Sequence, residues 1–514
     1  MAQDLVRAAS STAGAETHVH SSDDNDNGSV RRNVDRLGLD QSLMDLDNGF
    51  VGWEGEDDPK YPPNFTRTRK WLITALLSAL AFMTPFASSI IAPAIGYIAD
   101  DFGVSDVTKS AMPVSIFLLG YAVGPLFLSP LSEIYGRRIV MMASNLVFCL
   151  FLVACVLSPS IDLLIFFRFM CGVGGSASQT VGGAVIADLF VVAERGNAMT
   201  IWILGPILGP SLAPLIGGFV AESIGWRWTN WITLIPASVL LVAMVLAYPE
   251  THHEVLIQQK TTRLVKALDR PDLCSCYVDG EEKAATSTDI ILSGLIRPLK
   301  LLFSSPIIFS VSLYVAFDYG CLYLLFNTIP IVFRGSYNWS AGISGIVYLA
   351  LLAGYLIGLA AFTLVSDKTV RHMTAANGGV YEAEMRLPLC IYFAALIPIS
   401  FFWYGWSSDQ AIHWAVPILG LVLFGIGFEG IWLPTQLYIV DGYSRYAASA
   451  LAAYSVMRSV VAAFLPLAGP AMYEKLGVGW GNSVLGFISL AMVPIPALIY
   501  KFGGRMRKNE KFRL

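Results

Sequence analysis

The stretch Pro130–Arg138, PLSEIYGRR, lies between two apolar stretches, roughly 110–129 and 139–158. Each apolar stretch is long enough to cross a bilayer, which needs about 20 residues. Gly136 lets the backbone reverse between two helices. Two arginines beside a membrane edge indicate the cytoplasmic side. The stretch therefore predicts a short cytoplasmic loop between two transmembrane helices.

The charges of this loop predict a gate. Glu133 ends one predicted span, and Arg137 and Arg138 begin the next, so the acid can pair with either arginine or with another helix end. Charge-assisted hydrogen bonds of this kind contribute about 1.5–3 kcal/mol when partly buried. Because they form when the cytoplasmic helix ends approach each other, we expect them to hold those ends together. A weaker second copy of the loop, 366–371, places Asp367 after the eighth predicted span.

The composition predicts a polytopic membrane protein. The 514 residues are 55% hydrophobic and only 14% charged, with a mean hydropathy of +0.59. Soluble domains are about a quarter charged. The net charge of −4 says little about partners, because the charges are confined to loops and tails.

Signatures of catalysis and metal binding are missing from the sequence. His253-Glu254 is not part of an H-E-x-x-H motif, and the chain has no G-x-S-x-G and no P-loop. The seven cysteines lack metal-ligand spacing. Cys274 and Cys276 form a C-x-C in a loop expected in the cytosol, where disulfides are rare. We therefore expect no enzyme, no metal and no cofactor.

Hydropathy predicts twelve spans in two sets of six. The predicted spans are 71–96, 110–130, 139–158, 162–188, 198–221, 229–248, 306–331, 341–365, 388–404, 412–439, 446–471 and 481–501. Around them we predict a disordered cytoplasmic tail at 1–66, an N-terminal half at 67–248, a cytoplasmic central loop at 249–304, a C-terminal half at 305–502 and a basic cytoplasmic tail at 503–514.

Basic residues predict the orientation by the positive-inside rule. One set of loops and tails carries Arg137, Arg138, Arg195, Lys368, Arg371, Arg386, Arg445, Lys501, Arg505, Arg507, Lys508, Lys511 and Arg513. The opposite loops carry only Lys109, Arg227, Arg334 and Lys475. Both termini are therefore expected in the cytoplasm of a multi-pass protein of the plasma membrane, with the vacuolar membrane as the alternative.

Arg168 lies inside the fourth predicted span. A cation in an apolar helix costs about 2.5–3.5 kcal/mol on insertion scales, so this side chain should face water or a carboxylate. Snorkelling to the near outer interface is the alternative. The following glycines, 172–175, favour close contact with a neighbouring helix.

The fifth predicted span is dense in glycine and proline. Prolines remove backbone hydrogen bonds and bend a helix, and glycines four residues apart give a flat packing face. The residues that form this pattern are Gly205, Pro206, Gly209, Pro210, Pro214, Gly217 and Gly218. The alternative is an ordinary kinked packing helix.

Three ionisable residues lie near mid-depth of the second half: Asp318 in span 7, Glu429 in span 10 and Arg458 in span 11. Such residues are costly in a membrane and usually functional, so we predict that they share one polar cavity. A structural salt bridge is the alternative. The aromatic residues expected around the acids are Phe317, Tyr319, Tyr323, Phe326, Phe428 and Trp432, which suits an amphipathic organic substrate.

These motifs resemble those of the major facilitator superfamily. The loop at 130–138 resembles its loop between spans 2 and 3, although that family has Asp where this chain has Glu133. The Arg168 region resembles its fourth-span motif, and span 5 resembles the antiporter motif of drug:proton exchangers. Residues 53–64, 225–228 and 249–251 resemble fungal members, so that the resemblance covers about 53–505.

The resemblance implies an all-α membrane protein with twelve helices in two six-helix halves. It also implies proton handling by Arg168, a span-5 contact between the halves that limits leak, and a cavity lined by spans 7 and 10. Asp318 replaces an apolar residue common in relatives, so its role rests on its depth alone.

We predict proton-coupled efflux of a drug or secondary metabolite by alternating access. One alternative is a carrier for a defined metabolite such as an organic acid or polyamine, and another is a non-transporting sensor on a transporter scaffold. The expected partners are a small-molecule substrate, protons and lipid, with no nucleic acid, and the protein is expected to act as a monomer.

Overall fold

The computed structural model describes residues 44–45, 49–55, 57–277, 287–443 and 447–509. Most of the predicted N-terminal tail lies outside these residues, as do Arg445, Lys511 and Arg513.

Six spans form the N-terminal half. Span 1 comprises Arg67–Ser89, the 3-10 turn Ala92–Ala94 and Ile95–Phe102. The others are span 2 (Val107–Ile134), span 3 (Arg137–Val156), span 4 (Ile161–Gly175 and Ala177–Leu189), span 5 (Val192–Ser223) and span 6 (Arg227–Ala247).

Six further spans form the C-terminal half. They are span 7 (Pro306–Tyr337), span 8 (Ala341–Ile346 and Tyr348–Ala376), span 9 (the 3-10 turn Ala383–Arg386, Pro388–Ala394 and Leu396–Asp409), span 10 (Ala415–Gly442) and two spans within Ala447–Met492 and Pro494–Asn509. Span 11 ends and span 12 begins at Gly477, whose φ of 75° and ψ of 171° are not helical.

Helices are the structures expected in lipid, where each backbone polar group needs a partner within its own segment. Eleven segments of the described chain are long and apolar enough to cross a membrane. The last of them, Ala447–Arg507, has 61 residues and would be about 90 Å long as one helix. Since a bilayer core is about 30 Å thick, the bend at Gly477 divides it into two spans. The prediction of a twelve-helix fold is confirmed.

Hydrogen bonds join the two halves of the protein. We call the side where Arg67 and Asn509 lie the tail side and the opposite side the far side. Close to mid-depth, the Ser88 and Tyr323 hydroxyls are 2.8 Å apart, which joins spans 1 and 7. At the far side, the Gly342 N–H of span 8 donates to Glu222 Oε2 of span 5 at 2.8 Å. These contacts hold the halves together from mid-depth to the far-side ends.

A small folded unit lies on the tail side. The strands Phe50–Val51 and Cys274–Ser275 pair in parallel. Trp53, which follows the first strand, is buried, and its Nε1–H donates to the Tyr277 hydroxyl at 3.2 Å. The prediction of disorder over 1–66 is therefore wrong for 49–55 and 57–66, because Trp53 and its apolar neighbours pack against the central loop.

The central loop is partly helical rather than extended. Helix His253–Leu268 packs beneath the N-terminal half and contributes Ile257 to the core around Trp53. Helix Ser287–Ser304 contacts spans 2 and 11 and leads into span 7. At the other end of the chain, the predicted basic tail is helical as far as Asn509.

Candidate functional site

A central cavity lies between the two halves. It is partly open to its surroundings and comprises about 640 Å³ of space. An adjoining space of about 530 Å³, which shares Tyr121 and Arg458 as lining residues, extends toward Tyr319, Phe428 and Glu429. The larger part is lined by Tyr121, Pro125, Ser176, Gln179, Thr180, Trp202, Ile203, Pro206, Trp432, Gln436, Tyr454, Ser455, Arg458 and Ser459. These residues lie in the tail-side halves of spans 2, 4, 5, 10 and 11, so the cavity is on the tail side of the far-side contacts.

Glu429 and Arg458 both line the central cavity. Glu429 is 1% exposed, and its Oε1 has no hydrogen-bond partner among the described residues. The Arg458 guanidinium lies 4.5 Å from the centre of the Tyr319 ring, a cation–π contact. Its Nε is also without a partner in the described part of the chain. The cavity therefore holds an acid and a base that form no ion pair with each other in this conformation.

Asp318 does not line this cavity. It is 1% exposed, and neither carboxyl oxygen has a hydrogen-bond partner among the described residues. Its electrostatic neighbours lie in spans 7, 9 and 11 and include Cys321, Cys390 and Tyr454. The structure thus separates Asp318 from Glu429 and Arg458, with which the sequence had grouped it.

Arg168 is fully buried, and three of its nitrogens have partners. Nε donates to the Pro113 carbonyl at 3.0 Å, and the two terminal nitrogens donate to the carbonyls of Ala87 and Ser88 at 2.9 Å each. The guanidinium also lies 4.6 Å from the Phe117 ring centre. The last carbonyls of a helix have no partner within the helix, so Arg168 caps the broken end of Arg67–Ser89. Its contacts are carbonyls, where the sequence had predicted water or a carboxylate.

The predicted aromatic residues divide into two groups. Tyr319, Phe428 and Trp432 line the central cavity. Tyr323 lies 5.2 Å from Tyr319, measured between ring centres, and its hydroxyl bonds Ser88 across the halves. Phe317 and Phe326 are buried in the helix packing. The aromatic contacts therefore run from the cavity to the contact that joins spans 1 and 7.

The Gly/Pro face of span 5 has three neighbours. A methyl group added at Gly205 or Gly209 would lie 2.8 or 2.6 Å from backbone atoms of Phe82 in span 1, and Gly217 faces the Ile90 carbonyl. Gly218 contacts the Ala341 carbonyl of span 8 in the other half, and the Pro214 carbonyl faces Gly345 of the same span. Pro206 and Pro210 line the cavity. The bent helix therefore joins span 1, the other half and the cavity.

Arg137 ties together three helix ends of the N-terminal half. Its Nε donates to Asp188 Oδ2 at 3.3 Å, and a terminal nitrogen donates to the Ser132 hydroxyl at 2.6 Å. Ser132 ends span 2 and Asp188 ends span 4. None of the ion pairs found within the described ranges includes Glu133. The pairs at this loop lie inside one half, and sequence reasoning missed Asp188 because it is about 50 residues away.

Glu250 also acts at this loop. Its carboxylate accepts the Arg137 N–H at 2.8 Å and the Arg138 N–H at 3.1 Å, which caps span 3. A carboxylate at a helix N-terminus satisfies unpaired N–H groups and suits the helix dipole. The sequence offers one clue to this cap. Gly136, directly before span 3, has no side chain that could cap the helix, so the cap has to come from another residue.

His252 begins the central-loop helix beside this cap. Its Nδ1 accepts the Val255 N–H at 3.4 Å. Burial, with the nearby positive charges of Arg137 and His253, lowers the pKa of His252 to about 4. The imidazole is therefore neutral near pH 7 and can act as this acceptor.

Arg386 joins helix ends within the C-terminal half, as Arg137 joins helix ends within the N-terminal half. Its Nε lies 2.9 Å from Asp441 Oδ2 at the end of span 10, and a terminal nitrogen lies 3.9 Å from Asp367 Oδ1 in span 8. The Tyr381 hydroxyl donates to the same Asp441 oxygen at 2.5 Å. The segment 366–371 continues the helix of span 8, so the basic partner is Arg386 at the start of span 9.

Gly136→Ala is expected to lower the melting temperature more than Gly225→Ala does. Both glycines have a positive φ, 96° and 97°, so an alanine costs about 1–3 kcal/mol of backbone strain at each. A Cβ at Gly136 would also collide with the Glu250 carboxylate, whereas Gly225 has open space around it. Thermal unfolding of the two purified variants measures the difference, and equal melting temperatures would show that the Glu250 cap contributes nothing.

Comparisons with known proteins agree with this architecture. Residues 77–466 match the family model described as Major Facilitator Superfamily. The chain is 42% identical over 465 residues to a protein of Aspergillus oryzae named MFS transporter cpaT, covering 90% of this chain and 93% of that one. It is 41% identical over 477 residues to efflux pump radE of Floropilus chiversii, covering 93% and 88%.

Solved structures share the fold at low sequence identity. The inward-open xylose transporter XylE of E. coli aligns with a TM-score of 0.63 at 16% identity, covering 84% of this chain and 96% of that one.

Proposed function

The chain belongs to the major facilitator superfamily, and we propose that this multi-pass membrane protein exports a small organic molecule in exchange for protons. The observation that carries the proposal is the central cavity, which lies between the two halves and holds Glu429 and Arg458 without an ion pair between them. A relative that is 41% identical bears the name efflux pump, which supports export as the direction.

We assign the tail side to the cytoplasm. Arg137, Arg138, Arg195, Lys368, Arg371 and Arg386 all lie at tail-side helix ends, and basic residues favour the cytoplasmic side. With that orientation the cavity takes up its substrate from the cytoplasm while the far side is closed. The plasma membrane is the membrane that suits export from the cell.

Transport then requires an exchange of contacts between the halves. The Ser88–Tyr323 and Glu222–Gly342 contacts break, and the cytoplasmic ends approach each other. Such alternating access is largely rigid-body rocking around a site between the halves. Arg137 and Arg386 each bind helix ends of their own half, so in this proposal they keep each half rigid while it moves.

Glu429 is our first candidate for the proton carrier. An isolated charge in a low-dielectric site is costly, so this carboxyl can alternate between an ionised state that attracts Arg458 and a protonated state that does not. The two states favour different arrangements of spans 10 and 11, which couples the proton to the conformational change. Asp318 is the second candidate, because both of its oxygens are buried without a partner.

Substrate-induced proton movement in liposomes tests this proposal. We expect an amphipathic compound, added to one side of purified protein in liposomes with an internal pH-sensitive dye, to move protons in the opposite direction. Protein-free liposomes and an inactive compound of the same lipid solubility are the controls. Compound transport without proton movement would remove the coupling, and no transport of any compound across a broad panel would remove the function.

A further inference from the structure

Three residues that line the central cavity each carry a buried N–H group that has no acceptor among the described residues. These groups are Arg458 Nε, Trp432 Nε1 and Trp202 Nε1. All three residues line the same part of the cavity. We call them the donor patch.

These groups can only donate. An indole N–H and a guanidinium have no acceptor lone pair, and the guanidinium stays charged at any physiological pH. A substrate whose acceptors reach these buried N–H groups supplies the partners that they lack, and an unpartnered buried donor costs free energy.

Comparison with Arg168 shows that the free donors of Arg458 are unusual. Both arginines lie in membrane-spanning helices, and both contact an aromatic ring face, Phe117 for Arg168 and Tyr319 for Arg458. Arg168 donates from three nitrogens to backbone carbonyls. Arg458 takes part in none of the ion pairs found in the described part of the chain, and its Nε is unpartnered.

We propose that the donor patch selects substrates that carry an oxygen acceptor, as a carbonyl or carboxylate group, on an aromatic or apolar body. The inference rests on the proposed function, since it names the substrate class of that cavity. The apolar part of such a molecule packs against Tyr319 and Phe428, which line the adjoining space. Its oxygens accept hydrogen bonds from Arg458, Trp432 and Trp202.

The patch also joins the two halves of the protein. Trp202 belongs to span 5 of the N-terminal half, and Trp432 and Arg458 belong to spans 10 and 11 of the C-terminal half. A substrate that accepts hydrogen bonds from both sides therefore bridges the halves on the tail side of the cavity. That bridge favours closure of the tail-side ends over the bound molecule.

Binding of matched probes to the purified full-length chain in nanodiscs tests the inference without any proton gradient. 9-Fluorenone and fluorene share one ring system, and only the ketone carries an acceptor. Quenching of tryptophan fluorescence, together with competition, gives the two dissociation constants. We expect the ketone to bind about tenfold or more tightly, as follows from leaving a buried donor unpaired. A third probe, 9-fluorenone-4-carboxylate, distinguishes carbonyl from carboxylate acceptors. If it binds more tightly than 9-fluorenone does, the donor patch prefers anionic substrates.

Variants locate the selectivity. In Arg458→Met and Trp432→Phe, which keep apolar bulk and remove donors, the ratio of the two dissociation constants should fall toward one. Trp403→Phe is the matched control, because Trp403 Nε1 already donates to the Val416 carbonyl at 2.9 Å and lines neither part of the cavity. Equal binding of ketone and hydrocarbon to the wild type, no saturable binding of the ketone, or unchanged selectivity in both patch variants would overturn the inference. Because no transport is measured, each of these results leaves proton-coupled export to its own test.

Discussion

Glu429→Gln is expected to reduce proton-driven transport to the level of protein-free liposomes. Glu429 lines the central cavity, is 1% exposed and has an unpartnered Oε1 within the described chain. Glutamine keeps the size of the side chain but cannot take up or release a proton. The variant should therefore still exchange substrate passively between the two sides, without accumulation when a pH gradient is applied.

Asp318→Asn, made in parallel, separates the two candidate proton carriers. Asp318 lies outside the cavity lining, so loss of its proton should leave substrate affinity unchanged, whereas Glu429→Gln alters the cavity wall itself. Glu254→Gln, an exposed carboxylate on the tail side, is the control and should transport as the wild type does. If Glu429→Gln and Asp318→Asn both keep full gradient-driven transport, these acids are structural.

The pH range of the experiment excludes one competing explanation. The pKa of His252 is lowered to about 4, so this histidine does not change charge between about pH 5.5 and pH 8, where an unperturbed histidine would. A pH effect on transport that disappears in Glu429→Gln therefore does not come from His252.

Arg168→Gln is expected to abolish transport and to lower the free energy of unfolding by at least about 2 kcal/mol. Arg168 donates hydrogen bonds to three carbonyls of spans 1 and 2. A hydrogen bond from a charged group contributes about 1.5–3 kcal/mol, and a buried acceptor left without a partner adds a desolvation penalty. Glutamine cannot reach all three carbonyls, so the end of Arg67–Ser89 loses its cap.

Two further variants show whether Arg168 acts through stability or through transport. Arg168→Lys keeps the charge but lacks the planar fork of the guanidinium, so thermal unfolding should place it between glutamine and the wild type. Ser88→Ala removes the hydroxyl that contacts Tyr323 and keeps the carbonyl that Arg168 binds. We expect Ser88→Ala to alter transport with little change in melting temperature. A stable Arg168→Gln protein with full transport would contradict the capping role.

The sequence alone predicts the helices well. Each span is an apolar stretch of sufficient length, and the lipid phase forces its backbone into a helix, so hydropathy is enough. The turn at Gly136 follows in the same way, because the glycine lies between two such stretches and has a φ of 96°. The polar composition of residues 49–55 and 57–66 predicts a disordered tail, and only the long-range contact of Trp53 with Tyr277 shows that this part of the chain folds.

The partners of the charged residues could not be predicted. Arg168 and Arg458 are alike in sequence, each a single arginine in an apolar helix, yet Arg168 donates to three carbonyls and Arg458 faces the cavity. Three contacts join helix ends that are distant in the sequence and adjacent in the structure, and they involve Asp188, Glu250 and Arg386. Hydropathy is a property of a segment and can be summed along the chain. An ion pair or a cap requires two side chains to meet within about 3 Å, and which helix faces meet is decided by tertiary packing.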